Sequence, residues 1–229
     1  MQQEIIDKVV AETKDKAWLR ELPAKEHGFA LRQIGEVHED MFDLFAYENE
    51  ALHRSVTAYF HAETQEYKLR LRIGFVEFCR MEYITPSVDT FGELLHAQLP
   101  ALLLELCSFD PKTISSMVLR KGILSWEFGK ELPETLEGYE LFIRPAQPVR
   151  VNNGSCIIID YVDFVQECDV TIYYNMYRDE FFGEARIHHI PDVTYDFDST
   201  ELDELQQKLE RYLVPRLKEA RERAIKEAS

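Results

Sequence analysis

Apolar and polar positions alternate most cleanly between Val149 and Ile190, and this stretch predicts a four-strand antiparallel meander. Asn153-Gly154 is the strongest short hairpin signal in the chain, because a two-residue type I′ turn needs positive φ at both positions. It joins Val149–Val151 to the run Cys156–Val165, whose start is apolar on both faces, as in a central or doubly covered strand. Gln166-Glu167 turns the chain into 169–177. There Val170, Ile172, Tyr174 and Met176 share one face, and Thr171, Tyr173, Asn175 and Tyr177 the other. A loop over Tyr177–Glu180 leads into 181–190. Setting Met176 against Phe181 places Tyr174 opposite Gly183, an aromatic covering a glycine gap, and Ile172 opposite Ala185. The same register pairs Tyr173 with Glu184, Thr171 with Arg186 and Asp169 with His188 on a polar face, and a slip of one residue would destroy both patterns.

Elsewhere the periodicity is mixed. Residues 3–20 predict an amphipathic helix with Ile6, Val9, Val10 and Ala17 on its stripe, and 36–53 a second one with Val37, Met41, Leu44, Phe45 and Leu52 inward. Strand-like runs follow over 55–62, 67–73 and 75–84, then an apolar helix from Thr90 to Cys107 that Pro100 should kink or restart. Between 110 and 148 the chain reads as loops with two strands, 122–128 and 139–145, the latter closed by Pro145 and Pro148. A last helix begins at a capping box, Thr200 with Asp203, carries Leu202, Leu205, Leu209, Tyr212 and Leu213 inward, and breaks at Pro215 before a mixed-charge, solvated tail.

The order of elements from Tyr59 to Leu106 echoes that from Tyr161 to Tyr212, with 67–73 matched to 170–176 and Thr90 to Thr200. The predicted fold is therefore α+β, antiparallel meander sheets with packed helices, in two related units over 1–110 and 111–229.

Composition narrows the function classes. A hydrophobic content of 45% and an aromatic content of 12% describe a folded globule. The net charge of −16 opposes binding to nucleic-acid phosphates and to anionic membranes. No apolar run approaches the ~20 residues that span a bilayer, and the polar start does not resemble a signal peptide, so a cytoplasmic location is expected. Cys79, Cys107, Cys156 and Cys168 lack metal-type spacing and read as reduced core thiols. No glycine-rich phosphate loop is present, and no cofactor is expected.

Four constellations have the residue types for chemistry. Glu50 with His53 and Glu93 with His96 both match Glu-x-x-His, the ligand pattern of di-metal helical bundles, although strand-like sequence separates them and the chain is rich in glutamate. His188-His189 with Asp192, Asp196 and Asp198 is the densest His/carboxylate patch, but adjacent strand residues point to opposite faces. Asp160, in phase with Cys156, Ile158, Val162 and Phe164, is a carboxylate on an apolar face, where a raised pKa suits a general acid or base, or a structural acid bonded to a backbone donor. Last is the polar meander face of Tyr173, Asn175, Tyr177, Glu184, Arg186 and His188, rich in the residue types of interfaces. The reading that follows is a non-catalytic acidic module, adaptor-, chaperone- or inhibitor-like, that binds a protein or peptide through this open face, the partner being another protein or a second copy in a homodimer. The rival is a metal- or carboxylate-dependent hydrolase drawing on Asp160 and His188.

Overall fold

The structure, a computed structural model, describes residues 1–152 and 154–228. It divides into two units, Met1–Ser108 and Phe109–Ser229, each an antiparallel sheet with helices packed on it.

The first unit opens with helices α1 (Gln3–Thr13) and α2 (Ala17–Arg20). Its sheet is a meander whose strands lie in chain order: β1 (Lys25–Glu26), β2 (Phe29–His38), β3 (Met41–Asn49), β4 (Arg54–His61), β5 (Glu66–Ile73) and β6 (Val76–Thr85). Helix α3 (Val88–Cys107) follows, with Ser87 as its cap: the Ser87 hydroxyl accepts from the Thr90 amide at 3.2 Å. Along β5 the buried side chains are Tyr67, Leu69, Leu71 and Ile73, as alternation requires. Tyr67 stacks on Phe91 of α3 at 5.6 Å, which identifies that face of the sheet as the one under the helix. Phe91, Leu95, Leu99, Leu103 and Leu106 are buried along α3, each stabilising the fold by roughly 1.5–3 kcal/mol on area grounds.

The second unit contains α4 (Ser116–Lys121), α5 (Glu127–Lys130), β7 (Thr135–Leu136), β8 (Tyr139–Ile143), β9 (Val149–Arg150), β10 (Ser155–Asp163), β11 (Cys168–Asn175), β12 (Glu180–Ile187), β13 (Ile190–Ser199) and α6 (Leu202–Glu227). The sheet runs β13-β12-β11-β10-β8-β7, with β9 also paired to β10. Leu205, Leu209, Leu213, Leu217, Ala220 and Ala224 make one buried stripe along α6.

The meander is present, shifted in register by two residues. Tyr174 faces Phe181, Ile172 faces Gly183 and Thr171 faces Glu184. The cause is the turn: the Asn175 side chain accepts from the amides of Tyr177 and Arg178, each at 3.0 Å, ending the strand at Asn175. A slip of two preserves the faces, so Gly183 still lies beneath an aromatic, here Phe197. The β9–β10 hairpin is in place with Gly154 at φ +72°, but Asn153 lies outside the described residues.

Three expected elements differ. Residues 36–53 form a hairpin, not a helix: Glu39 adopts φ +53° at the turn, and β3 is buried on both faces from Phe42 to Tyr47. An apolar run buried all round carries no period to separate strand from helix. Residues 122–128 form helical turns instead of a strand, because Gly122 at φ +79° ends α4 and restarts the chain into a 3₁₀ turn over Ile123–Ser125. Pro100 and Pro215 sit inside uninterrupted helices. The α6 capping box is also not formed: Glu201 is the cap without a side-chain bond, and the Glu204 carboxylate accepts from the Thr200 amide at 3.4 Å.

The two units are related, with a different correspondence from the sequence echo. Glu21-Leu22-Pro23 and His27-Gly28 match Glu131-Leu132-Pro133 and Glu137-Gly138, each leading through a two-residue strand and a tight turn into a long one. The Tyr47 hydroxyl donates to the Pro23 carbonyl at 2.7 Å, and the Tyr161 hydroxyl to the Pro133 carbonyl at 2.8 Å. Matching these bonds pairs β3 with β10, β4 with β11, β5 with β12 and α3 with α6, so the echo was one strand out of step.

Candidate functional site

In the first unit, the sheet face turned away from α3 is polar. Ser55, Thr57, Tyr59 and His61 share it along β4, and the facing positions on β5 are Arg72, Arg70, Lys68 and Glu66. Asp43 of β3 stands opposite Tyr59, and Arg70 reaches Asp43 Oδ2 at 3.3 Å while covering the Tyr59 ring at 5.4 Å. Burial raises the Asp43 carboxyl above its ordinary value, against the pull of Arg70. The Tyr59 phenol lies 3.0 Å from Cys79 Sγ and is likewise pushed up, mainly by burial.

At the end of this row Asp40, His61 and Glu63 each present a ligand atom, all within 4.8 Å of one another. Among the described residues no other such group of His, Cys, Asp or Glu is found. The β2–β3 turn supplies Asp40, the last residue of β4 supplies His61, and the β4–β5 turn supplies Glu63. His61 Nε2 is 3.1 Å from Asp40 Oδ2. The other ring nitrogen, Nδ1, is 3.1 Å from Thr64 Oγ1. The Thr64 amide donates to Nδ1 at 3.3 Å, so Nδ1 is an acceptor and Nε2 carries the proton toward Asp40; a metal held at Nε2 would take the place of that proton. The Thr64 hydroxyl in turn helps hold Glu66 below the usual carboxylate range. The Ala62 amide donates to the Asp40 carbonyl at 2.8 Å and ties the two turns together. Two carboxylates and one imidazole suit Zn²⁺, Mn²⁺ or Fe²⁺ and leave positions for water and a further ligand.

In the second unit the equivalent face is closed. Tyr173 is 4% exposed, Arg186 6%, and Asp160, Asp169 and Thr171 0%. This corrects the expectation of an open face at Tyr173 and Arg186. Several of these buried polar groups bond one another. Arg186 donates to the Thr171 hydroxyl at 3.0 Å, to the Tyr173 hydroxyl at 2.6 Å and to Glu184, and stands 3.5 Å from Asp169 Oδ1. The Thr171 hydroxyl donates to Asp160 Oδ1 at 3.1 Å. Asp160 Oδ2 and both Asp169 oxygens lack a hydrogen-bond donor, and burial raises both acids, Asp169 to about 7. Asn175 and Glu184 are partly exposed on the same face, and Tyr177, in the following turn, is 80% exposed.

His188 belongs to the β12–β13 turn, with φ +48°, and not to a strand opposite Asp169. Its Nδ1 is 3.5 Å from Glu167 and its Nε2 3.3 Å from the Ala224 carbonyl. Asp169 instead faces Arg186. Asp192 and Asp196 are engaged by Arg223 and Arg216 of α6, which removes them from any histidine site. Glu50 opens a 3₁₀ turn that closes at His53, whereas Glu93 and His96 lie on α3, so the two Glu-x-x-His matches do not face each other across helices. None of the four falls in the cluster of three ligands. Sequence spacing does not single out Asp40, His61 and Glu63, because no spacing motif links a hairpin turn to the next one. The nearest sequence signal is His61-Ala62-Glu63-Thr64 at a strand end.

Comparison with family models, with curated proteins and with solved structures finds no match to this chain.

Proposed function

We propose that the chain is a metal-dependent hydrolase whose metal is held by Asp40, His61 and Glu63. The observation that carries this reading is the convergence of three ligand atoms of mixed carboxylate and imidazole type from two adjoining turns. Three protein ligands leave coordination sites open, and a divalent ion bound there lowers the pKa of a coordinated water toward neutrality and polarises a substrate oxygen. Titration of protein prepared without chelator with Zn²⁺ and Mn²⁺, followed by calorimetry, should give one site per chain that His61→Ala abolishes. Metal-dependent cleavage of chromogenic esters and phosphoesters should fall with it. Equal metal uptake by the wild type and His61→Ala would overturn the assignment of the ligands.

A second reading, capture of a protein or peptide partner, is favoured by a different observation. Tyr177, Ile190, Val193 and Tyr195 are 80%, 70%, 61% and 79% exposed on β13 and the turns of its sheet. β13 is an edge strand, and an exposed edge with apolar side chains is a template for an added strand. Sedimentation of the wild type against Val193→Lys at matched concentrations tests its self-association form.

A further inference from the structure

In the first unit an open groove of about 480 Å³ lies between the segment 18–26 and helix α3. Its walls are mostly apolar: Trp18, Leu22 and Pro23 come from the segment, and Leu95, Leu99 and Pro100 from the helix. The bond from the Tyr47 hydroxyl to the Pro23 carbonyl, 2.7 Å, pins the segment to the sheet. The charged residues of the lining are Glu21 and Glu26, and among the described residues no lysine or arginine joins them. With His96 counted neutral, the lining carries two negative charges and no positive one.

The second unit lacks these features at the matching positions. Helices α2 and α5 each have four residues and end at the matched Glu21 and Glu131, so their caps, Lys16 and Trp126, correspond. Trp126 is 8% exposed and belongs to the core of its unit, whereas Lys16 pairs with Asp89. Leu132 is buried in that same core, but its counterpart Leu22 is only half-buried. Aligning the caps of α3 and α6, Ser87 and Glu201, sets Gly92 against Gln206. Gly92 lets Trp18 lie against α3, since a Cβ there would fall 2.3 Å from Trp18 Cδ1. Glu26 stands on β1 where β7 has Leu136, a residue packed on the core. A carboxylate at this position is therefore not a requirement of the shared fold. Glu26 Oε1 is 3.1 Å from His27 Nε2, and its charge, after burial, helps to push the Tyr47 phenol up to about 12.

A mostly apolar cleft with a few polar groups is the usual form of a small-molecule site. Carboxylates on such a cleft, without a cation beside them, complement a positively charged group. We propose that the groove binds a small organic cation, an amine with an aromatic or branched apolar body. The body packs against Trp18, Leu22 and Leu99, and the ammonium group donates to Glu26 and Glu21. Neither the metal cluster nor the β13 edge takes part, so this site can fail or hold independently of both.

Calorimetry on the full chain near neutral pH with phenethylamine, phenethyl alcohol and hydrocinnamate tests this, because the three share a phenyl body and differ in the charge of the head group. The amine should bind at least about tenfold more tightly than the alcohol, and the acid most weakly. Trp18 and Trp126 are the two tryptophans of the chain, so in a Trp126→Phe background the fluorescence of Trp18 should change as the amine binds. Glu21→Gln combined with Glu26→Gln should lower the amine to the affinity of the alcohol and leave the melting temperature unchanged. No binding of the amine, equal binding of amine and alcohol, tighter binding of the acid, or an unchanged Trp18 signal would overturn the proposal. So would a preference for the amine that survives the double variant.

Discussion

At the scale of single residues, the second unit's polar face shows how charge is accommodated inside a sheet. Arg186 is acceptable there because three side chains and a nearby carboxylate surround its guanidinium, but Asp169 receives no hydrogen bond in return. Burial raises the Asp169 carboxyl from 3.8 to about 7. An acid whose folded pKa exceeds its unfolded value holds its proton more tightly in the folded state. Its contribution to stability is therefore largest below the unfolded value of 3.8 and is lost as the pH rises through about 7. Asp169→Asn should remove this slope. Urea melts at about pH 5 and pH 8 should show the variant gaining on the wild type as pH rises, and a difference independent of pH would contradict the assignment. Gly183 gives a steric counterpart. An added Cβ would lie 2.4 Å from Phe197 Cδ2 and 3.2 Å from Ile172 Cδ1, so Gly183→Ala should destabilise by about 1–3 kcal/mol in a thermal or urea melt.

At the scale of elements, the helices tolerate what isolated helices would not. Pro215 lies within α6 at a cost that a helix interior would place near 3 kcal/mol. The flanking Leu209, Leu213 and Leu217 are fully packed and hold the helix through it. Pro215→Ala should raise the stability by about 1–3 kcal/mol without changing helix content by circular dichroism. The tail after Pro215, predicted as a solvated surface, is instead half structural. Leu217, Ala220 and Ala224 are buried, and Arg216 and Arg223 reach across to Asp196 and Asp192 of β13. Those ion pairs tie two of the acids of β13 to α6.

At the scale of the whole molecule, the chain is one architecture used twice, with the Asp40, His61 and Glu63 cluster in the first copy. The tyrosine-to-proline-carbonyl bonds at Tyr47 and Tyr161 are the clearest shared device. Tyr47→Phe and Tyr161→Phe should each cost about 1 kcal/mol, and the double variant about the sum, since each pair lies within its own unit and shares no partner. At the position of His61 the second unit has Asn175, which donates to Ser155 at 3.1 Å and cannot serve as an imidazole ligand.

Much of this was determined by local sequence. Alternation of apolar and polar residues in 67–73 and 169–175 fixes the strands and their faces, because a slip of a single residue would exchange the two faces. The internal repeat is legible too, in Glu-Leu-Pro followed by a glycine turn at both 21–28 and 131–138. Tertiary structure alone decided the rest. The two-residue slip of β12 depends on Asn175 capping its turn, and the strand identity of β3 on burial of both its faces. The candidate metal ligands meet because two hairpin turns at one end of a sheet adjoin. Such juxtapositions are properties of register between strands, and sequence spacing within a strand carries no record of them.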